Sequence, residues 1–388
     1  MILSNRMQNF SESVFTSLLA IKSKRLSRGE PVYDFSVGTP NVPPAKHIVD
    51  ALALGAADPK NYTYAISDLS DLRCACRDWY RNRFNVTLDP DSEITSLIGS
   101  QEGLSHIALA LINEGDTVLV PDPCYPAFKD GPLIAGAELH YMQMRRENNF
   151  IIDLRDIPPD VAKRAKLMIV SYPNNPTTAM ATDEFYMDLI AFAKDFDITV
   201  LHDNAYSDLV FDGRDCGSFL RFDGAMDVGV EFNSLSKTYG LAGARIGFCM
   251  GNREVVSALK TLKSNMDYGI FIPVQRAAIA AITGDQACVR DTCLAYQERR
   301  DAICDGLRSI GWNVGKGPAT MFVWAGIPDN FASSQEFVTE LVNRSGVLVT
   351  PGSAFGPSGE GFVRLAFVQS VETINEAVTA IKNSGIFK

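Results

Sequence analysis

Short apolar runs near residues 94–98, 117–120, 167–171, 198–202, 227–232 and 245–250 alternate along the chain with stretches of helical periodicity, such as 103–113 and 183–195. Continuous apolar runs of this length are the mark of strands covered on both faces, and the stretches between them read as amphipathic helices. The alternation predicts an α/β chain built on a parallel-dominated sheet with helices on both sides. In such sheets ligands gather at the carboxyl ends of the strands, where Asn175 and Asp203 fall. A further helical pattern near 290–309 is rich in Arg and Leu, and residues 1–30 read as an amphipathic arm. No repeat or low-complexity linker interrupts this order.

Composition narrows the function classes. A chain of 388 residues, 46% hydrophobic and 21% charged, is long enough for a large core and two domains in one body. The formal charge of −10 argues against nucleic acid or anionic membrane as a partner, since both select basic patches. The tightest basic cluster, Lys22-Ser23-Lys24-Arg25 with Arg28, reads as a solvated helix face. No basic segment leads into a long apolar run at the N-terminus and no apolar run reaches spanning length, so a soluble, cytoplasmic protein is expected. Cys74 and Cys76, the only close-spaced pair of eight cysteines, sit in a helical pattern beside Leu72 and Trp79. Histidines 47, 106, 140 and 202 lack metal-ligand spacing. Reduced thiols in the core, and no metal, are the expectation.

Four segments carry chemistry. In Ser234-Leu235-Ser236-Lys237-Thr238-Tyr239-Gly240 a lysine stands among hydroxyls, and Arg245 follows eight residues on. A buried lysine amine can form a Schiff base with a carbonyl cofactor, while Ser and Arg hold a phosphate. Upstream, the run Ile198–His202 ends in Asp203, with Tyr206 three residues later, and Leu167–Ser171 ends in Tyr172-Pro173-Asn174-Asn175-Pro176. Near the C-terminus Arg364 lies inside Phe362-Val363-Arg364-Leu365-Ala366-Phe367, a costly place for a charge without an anionic partner.

In this order the four segments resemble the class I/II aminotransferases, the fold-type I enzymes dependent on pyridoxal 5'-phosphate (PLP). The likeness extends from about Val37 almost to the end, through Gly99-Ser100-Gln101-Glu102-Gly103, Pro121-Asp122-Pro123-Cys124-Tyr125-Pro126 and Val349-Thr350-Pro351-Gly352. It implies a mostly parallel seven-stranded sheet in a large PLP-binding domain, residues 45–280. The small α+β domain would then take residues 281–388, joined by part of an N-terminal segment, 1–44, whose arm, 1–30, would pack on that domain or on a partner subunit. Carried over by position, Lys237 would hold the cofactor and act as general base, Asp203 would keep the pyridine nitrogen protonated, and Tyr206 and Asn175 would bond the ring hydroxyl. Ser100 and Gln101 at a helix N-terminus, with Ser234, Ser236 and Arg245, would take the phosphate, and Tyr125 would stack on the ring. Arg364, Asn175 and the close backbone at Gly38 would hold the substrate α-carboxylate.

The chain departs from the family pattern at three places. Thr178 stands where relatives have the glycine of Asn-Pro-Thr-Gly, Ala244 stands where Trp is common, and 61–73 lacks a glycine and is one residue short. The tyrosine that reaches a neighbouring subunit's phosphate is therefore Tyr64 or Tyr62, with Tyr64 favoured. That tyrosine implies a homodimer with shared active sites. No arginine occurs between Ser264 and Gln275, where aspartate-type relatives bind a distal carboxylate; Asn265 and Tyr268 either replace it or serve packing. Within the family the chain resembles the branch of LL-diaminopimelate and glutamate–pyruvate aminotransferases. That branch implies ping-pong transamination between an L-amino acid and 2-oxoglutarate. An enzyme for aromatic amino acids and a PLP-dependent C–S β-lyase are the rival readings. A non-catalytic regulatory module would need a DNA-binding domain ahead of the fold, for which the N-terminal segment is too short.

Overall fold

In the computed structural model, which describes residues 4–10 and 14–387, the apolar runs form one seven-stranded sheet. Its strands are β1 (Ile94–Leu97), β2 (Thr117–Asp122), β3 (Glu138–Gln143), β4 (Ala165–Ser171), β5 (Thr199–Asp203), β6 (Gly229–Ser234) and β7 (Gly247–Gly251). They lie in the order β1-β7-β6-β5-β4-β2-β3. Pairing is parallel from β6 across to β3, and β7 alone runs against both its neighbours. The reversal follows from the connection: the segment between β6 and β7 is occupied by the short helix Leu235–Thr238 and the turn Ala242–Ala244, leaving no long helix to carry the chain back for a parallel return. Edge strand β3 is absent from the runs seen in the sequence because only Met142 of its six residues is buried.

Alternate residues of the central strands feed two cores. Along β4, Met168 and Val170 join one apolar cluster while Leu167 and Ile169 join the other, on the opposite face. A third cluster belongs to a smaller α+β unit. Strands β8 (Phe322–Gly326), β9 (Thr350–Pro351) and β10 (Phe362–Ala366) make an antiparallel sheet in the order β9-β10-β8. Helices Ala287–Ser309, Ser334–Ser345 and Val371–Ser384 supply buried residues to the same cluster. The fold class implied by the family resemblance is thus present. Helix Val14–Leu26 places Leu18 in the third cluster, and Lys22 pairs with Asp34 at 2.9 Å. Residues 1–3 and 11–13 of the expected N-terminal arm lie outside the described residues. No helix among the described residues is long and apolar enough to cross a membrane.

Beneath the strand ends lies a buried polar network. Glu231 on β6, fully buried, accepts hydrogen bonds from Tyr80 Oη at 2.7 Å, Ser218 Oγ at 2.9 Å and the Phe219 N–H at 2.9 Å, and lies 3.0 Å from His202 Nδ1. His202 is its register partner on β5, one residue before Asp203. Burial works against the Glu231 charge, but His202 and Tyr80 outweigh it and hold the carboxyl below its ordinary value. A depressed carboxylate pKa stabilises the fold at neutral pH, and that stabilisation is lost as pH falls through the folded pKa. Glu231→Ala strands several buried donors at once and is expected to destabilise the protein by about 3–5 kcal/mol in urea melts at neutral pH. A loss under about 1 kcal/mol would show the network to be dispensable.

Candidate active site

Helix Ser100–Leu111 starts directly after β1, with Gly99 at φ +72° as its N-cap. The positive φ favours glycine, and its missing Cβ leaves room for the Arg245 guanidinium to lie against the turn. Arg245 is itself left-handed at φ +55°, and its guanidinium donates to Ala242 O at 3.1 Å and Ile98 O at 3.4 Å. From the end of β6, Ser234 caps the short helix Leu235–Thr238, its Oγ accepting the Ser236 N–H at 3.2 Å. The arrangement places a helix N-terminus, two serines and an arginine around one end of a cavity, the donor set of an anion site.

At the centre of the cavity stand Lys237 and Asp203. The Lys237 amine donates to Gly38 O at 3.1 Å and lies 5.9 Å from the centre of the Tyr206 ring. Burial, helped by Arg364 and Arg245 and opposed by Asp203, lowers its pKa to about 8. Asp203, at the last position of β5, is 7% exposed, and its Oδ1 has no hydrogen-bond partner among the described residues. Burial raises the Asp203 carboxyl to about 6 against the pull of His202, the Ala205 N–H and Lys237. A buried carboxylate oxygen aimed into a cavity without a donor is costly in the empty protein and suited to a protonated ring nitrogen.

The opposite end is set for a carboxylate. Arg364 on β10 is 3% exposed and lies between the rings of Phe322, at 4.3 Å, and Phe355, at 4.7 Å. Its Nη1 donates to Asn175 Oδ1 and its Nη2 to Ser36 O, both at 2.9 Å. Burial lowers its pKa only to about 10, so it remains a cation at neutral pH. Asn175 follows β4, and the β-branched Thr178 of the same turn sits at φ +66°, a strain of about 1 kcal/mol or more that a glycine there would avoid. At Gly38 a Cβ would meet the Phe322 ring at 2.6 Å.

One cavity of about 370 Å³ is lined by Gly38, Ser100, Gln101, Tyr125, Asn175, Asp203, Tyr206, Ser234, Ser236, Lys237, Arg245 and Arg364. Every site residue expected from the sequence is therefore brought together except Tyr64, which is 82% exposed and lies 5.8 Å, ring to ring, from Tyr268. Tyr62, its alternative, donates its hydroxyl to Ala56 O at 2.8 Å and sets its ring against Phe271. Tyr125 donates to Gln101 Oε1 at 3.0 Å. Phe322 escaped the sequence reading although it touches Gly38, Tyr206 and Arg364. It opens a strand that reads as ordinary core, and no local signal marks it. A larger, more open depression of about 920 Å³, bordered by Arg253, Ser257 and Thr261, contains none of these residues.

Known proteins resemble this chain over almost its whole length. The family described as aminotransferase class I and II matches residues 30–381. An LL-diaminopimelate aminotransferase of Dehalococcoides mccartyi is 41% identical over 384 residues, 99% of either chain. Glutamate–pyruvate aminotransferase AlaC of Escherichia coli is 42% identical over 380 residues, covering 97% of this chain and 92% of its own. Among solved structures, substrate-bound BacF from Bacillus subtilis superposes with a TM-score of 0.96 at 34% identity, over 99% of this chain and 98% of its own.

The Asp203 carboxyl gives a pH test. Its pKa rises on folding from 3.8 to about 6, so its ionisation costs the cofactor-free protein stability above about pH 6 and nothing below about pH 4. Asp203→Asn should therefore raise the melting temperature of the cofactor-free protein near neutral pH, by an amount equivalent to at most roughly 3 kcal/mol, and leave it unchanged near pH 4. Equal melting temperatures of the two proteins at neutral pH would show that the carboxylate is not strained.

Proposed function

Because the chain belongs to the class I and II aminotransferases, and is a PLP-dependent aminotransferase, we propose that it carries an amino group from an L-amino acid to 2-oxoglutarate in two half-reactions. The donor is LL-diaminopimelate or an amino acid of the alanine/glutamate kind. The first substrate leaves its nitrogen with the enzyme and departs as an oxo acid, and 2-oxoglutarate then collects it. The observation that carries this reading is the pairing of a largely buried Lys237 amine with the partnerless Asp203 oxygen in one cavity. The donor class rests on relatives named LL-diaminopimelate aminotransferase and glutamate–pyruvate aminotransferase, each 40% identical or more across almost the whole chain.

The residues present fit PLP. When bound, the cofactor supplies an aldehyde for an amine and a protonated ring that draws electrons from the substrate Cα. Asp203 Oδ1 would hold the proton on the ring nitrogen, while Tyr206 and Asn175 would hold the ring oxygen. Ser234, Ser236, Arg245 and the first N–H groups of helix Ser100–Leu111, at Ser100 and Gln101, would hold the phosphate, and Tyr125 would cover the ring. Arg364, with Asn175 and the Gly38 backbone, would fix the α-carboxylate in the same cavity as the Lys237 amine. The Lys237 amine would take and return the substrate's Cα proton; a pKa of about 8 suits an amine that must do both near neutrality.

We assign the working enzyme as a cytoplasmic homodimer in which Tyr64 of one copy reaches the phosphate of the other. The exposed Tyr64–Tyr268 pair supports that assignment, as does the use of the Tyr62 hydroxyl within its own chain. The large domain is taken as 45–280 and the small domain as 281–388 with part of 1–44. Asn265 and Tyr268 are the candidates for the distal end of the substrate.

Following the cofactor's absorbance while adding L-alanine, L-glutamate, LL-diaminopimelate and L-phenylalanine in turn tests the assignment. The expected result is loss of the cofactor band with LL-diaminopimelate or with alanine and glutamate, and its return on adding 2-oxoglutarate. A response to L-phenylalanine alone would move the enzyme to the aromatic class. Pyruvate release from cystathionine with no loss of the band would reassign the reaction to elimination. Lys237→Ala should lower turnover of the working donor by more than about a thousandfold.

A further inference from the structure

Five of the cavity residues come from the carboxyl ends of two neighbouring strands and the loops that follow them. Asp203 ends β5 and Tyr206 follows it, whereas Ser234 ends β6 and Ser236 and Lys237 follow it, and the ladder between these strands ends at Asp203 and Phe232. The four-residue helix that carries Lys237 is too short to hold its own orientation. Something beyond the ladder must fix one loop against the other.

One buried carboxylate does so. Asp208, two residues after Tyr206 and 8% exposed, accepts a hydrogen bond from Thr238 Oγ1 at 2.7 Å, and Thr238 directly follows Lys237 and is 2% exposed. The other Asp208 oxygen forms an ion pair with Arg83. Arg83 belongs to helix Ser70–Phe84, lies over the Phe84 ring at 4.9 Å and donates to Ser207 O at 3.5 Å. One turn earlier, Tyr80 Oη accepts from Asn233 Nδ2 at 3.1 Å; the same amide donates to Ser207 Oγ at 3.4 Å, and Asn233 Oδ1 accepts the Ser234 N–H at 2.7 Å. Helix Ser70–Phe84 thus grips both loops, through Tyr80 and Asn233 on one side and through Arg83 and Asp208 on the other.

We infer that Asp208 is a positioning residue for the transamination: by bridging Arg83 and Thr238 it sets where the Lys237 amine stands relative to Tyr206 and Asp203. The inference rests on the reading of Lys237 as the lysine that meets the cofactor. The bridge touches neither the phosphate cup nor Arg364, so its loss should act on proton transfer rather than on substrate capture. Misplacing a reacting group by a fraction of an ångström to one ångström costs about ten- to a hundredfold in rate.

Thr238→Val keeps the side-chain shape and deletes the donor, whereas Thr238→Ser keeps the donor. In the holoenzyme, Thr238→Val is expected to lower kcat about ten- to a hundredfold while changing KM for the amino acid less than about threefold. The pH midpoint of the bound cofactor's absorbance should move by about half a unit or more, because Lys237 shifts relative to Asp203, Arg364 and Arg245. Thr238→Ser should restore both. Asp208→Asn should act in the same direction, and if it fails to fold the threonine pair still decides. A Thr238→Val holoenzyme with wild-type kcat and an unmoved midpoint, whatever its melting temperature, overturns the inference. Were Lys237→Ala also to turn over normally, the reading of the site would fall with it; a silent Thr238→Val beside an inactive Lys237→Ala removes the bridge alone.

Discussion

Burying a lysine amine close to two guanidinium groups and one carboxylate is the constraint on which the rest of this structure turns. Lys237, Arg364 and Arg245 all face one cavity, and Asp203 is the carboxylate that the Lys237 amine feels most directly. Burial strengthens the repulsion between like charges, and Lys237, Asp203 and Arg364 are all largely withdrawn from water. The protein answers by moving the groups toward neutrality, the amine down to about 8 and the carboxyl up to about 6. A ligand that brings a phosphate to Arg245, a protonated ring to Asp203 and a carboxylate to Arg364 meets all three demands together. The strain of the empty cavity is thereby the affinity of the filled one.

The sheet makes this arrangement possible. Parallel strands deliver β4, β5 and β6 to one edge with their carboxyl ends together, so Asn175, Asp203 and the Lys237 loop start from neighbouring points. The reversal at β7 then leaves Arg245, just ahead of that strand, beside Gly99 at the end of β1. Arg364 arrives from the other unit, on a strand of the small antiparallel sheet, so the site closes between two separate cores. Underneath, Glu231 and Asp208 hold the strand ends and loops by hydrogen bonds that involve no cavity-lining side chain.

Much of this was legible in the sequence, for physical reasons that differ by residue. The central strands announce themselves because both faces are covered, which makes them apolar without interruption; β3, with one buried residue in six, carries no such signal. Lys237, Asp203, Asn175 and Arg364 stand out because each is a polar group at the end of, or inside, an apolar run. Their common cavity was a matter of family resemblance, since no spacing along the chain places residue 364 beside residue 175. What stayed hidden depends on register and on long-range contact. Glu231 meets His202 only because β5 and β6 pair in one register, Asp208 meets Arg83 across 125 positions, and Phe322 looks like any core aromatic.

The central claim is that Lys237 is the amine that meets the cofactor's aldehyde. Treating the PLP-loaded protein with borohydride, digesting it and mapping the modified peptide by mass spectrometry tests that claim at the level of one atom. The account predicts the added cofactor mass on Lys237 alone. Modification of any other lysine, with Lys237 recovered intact, would contradict it.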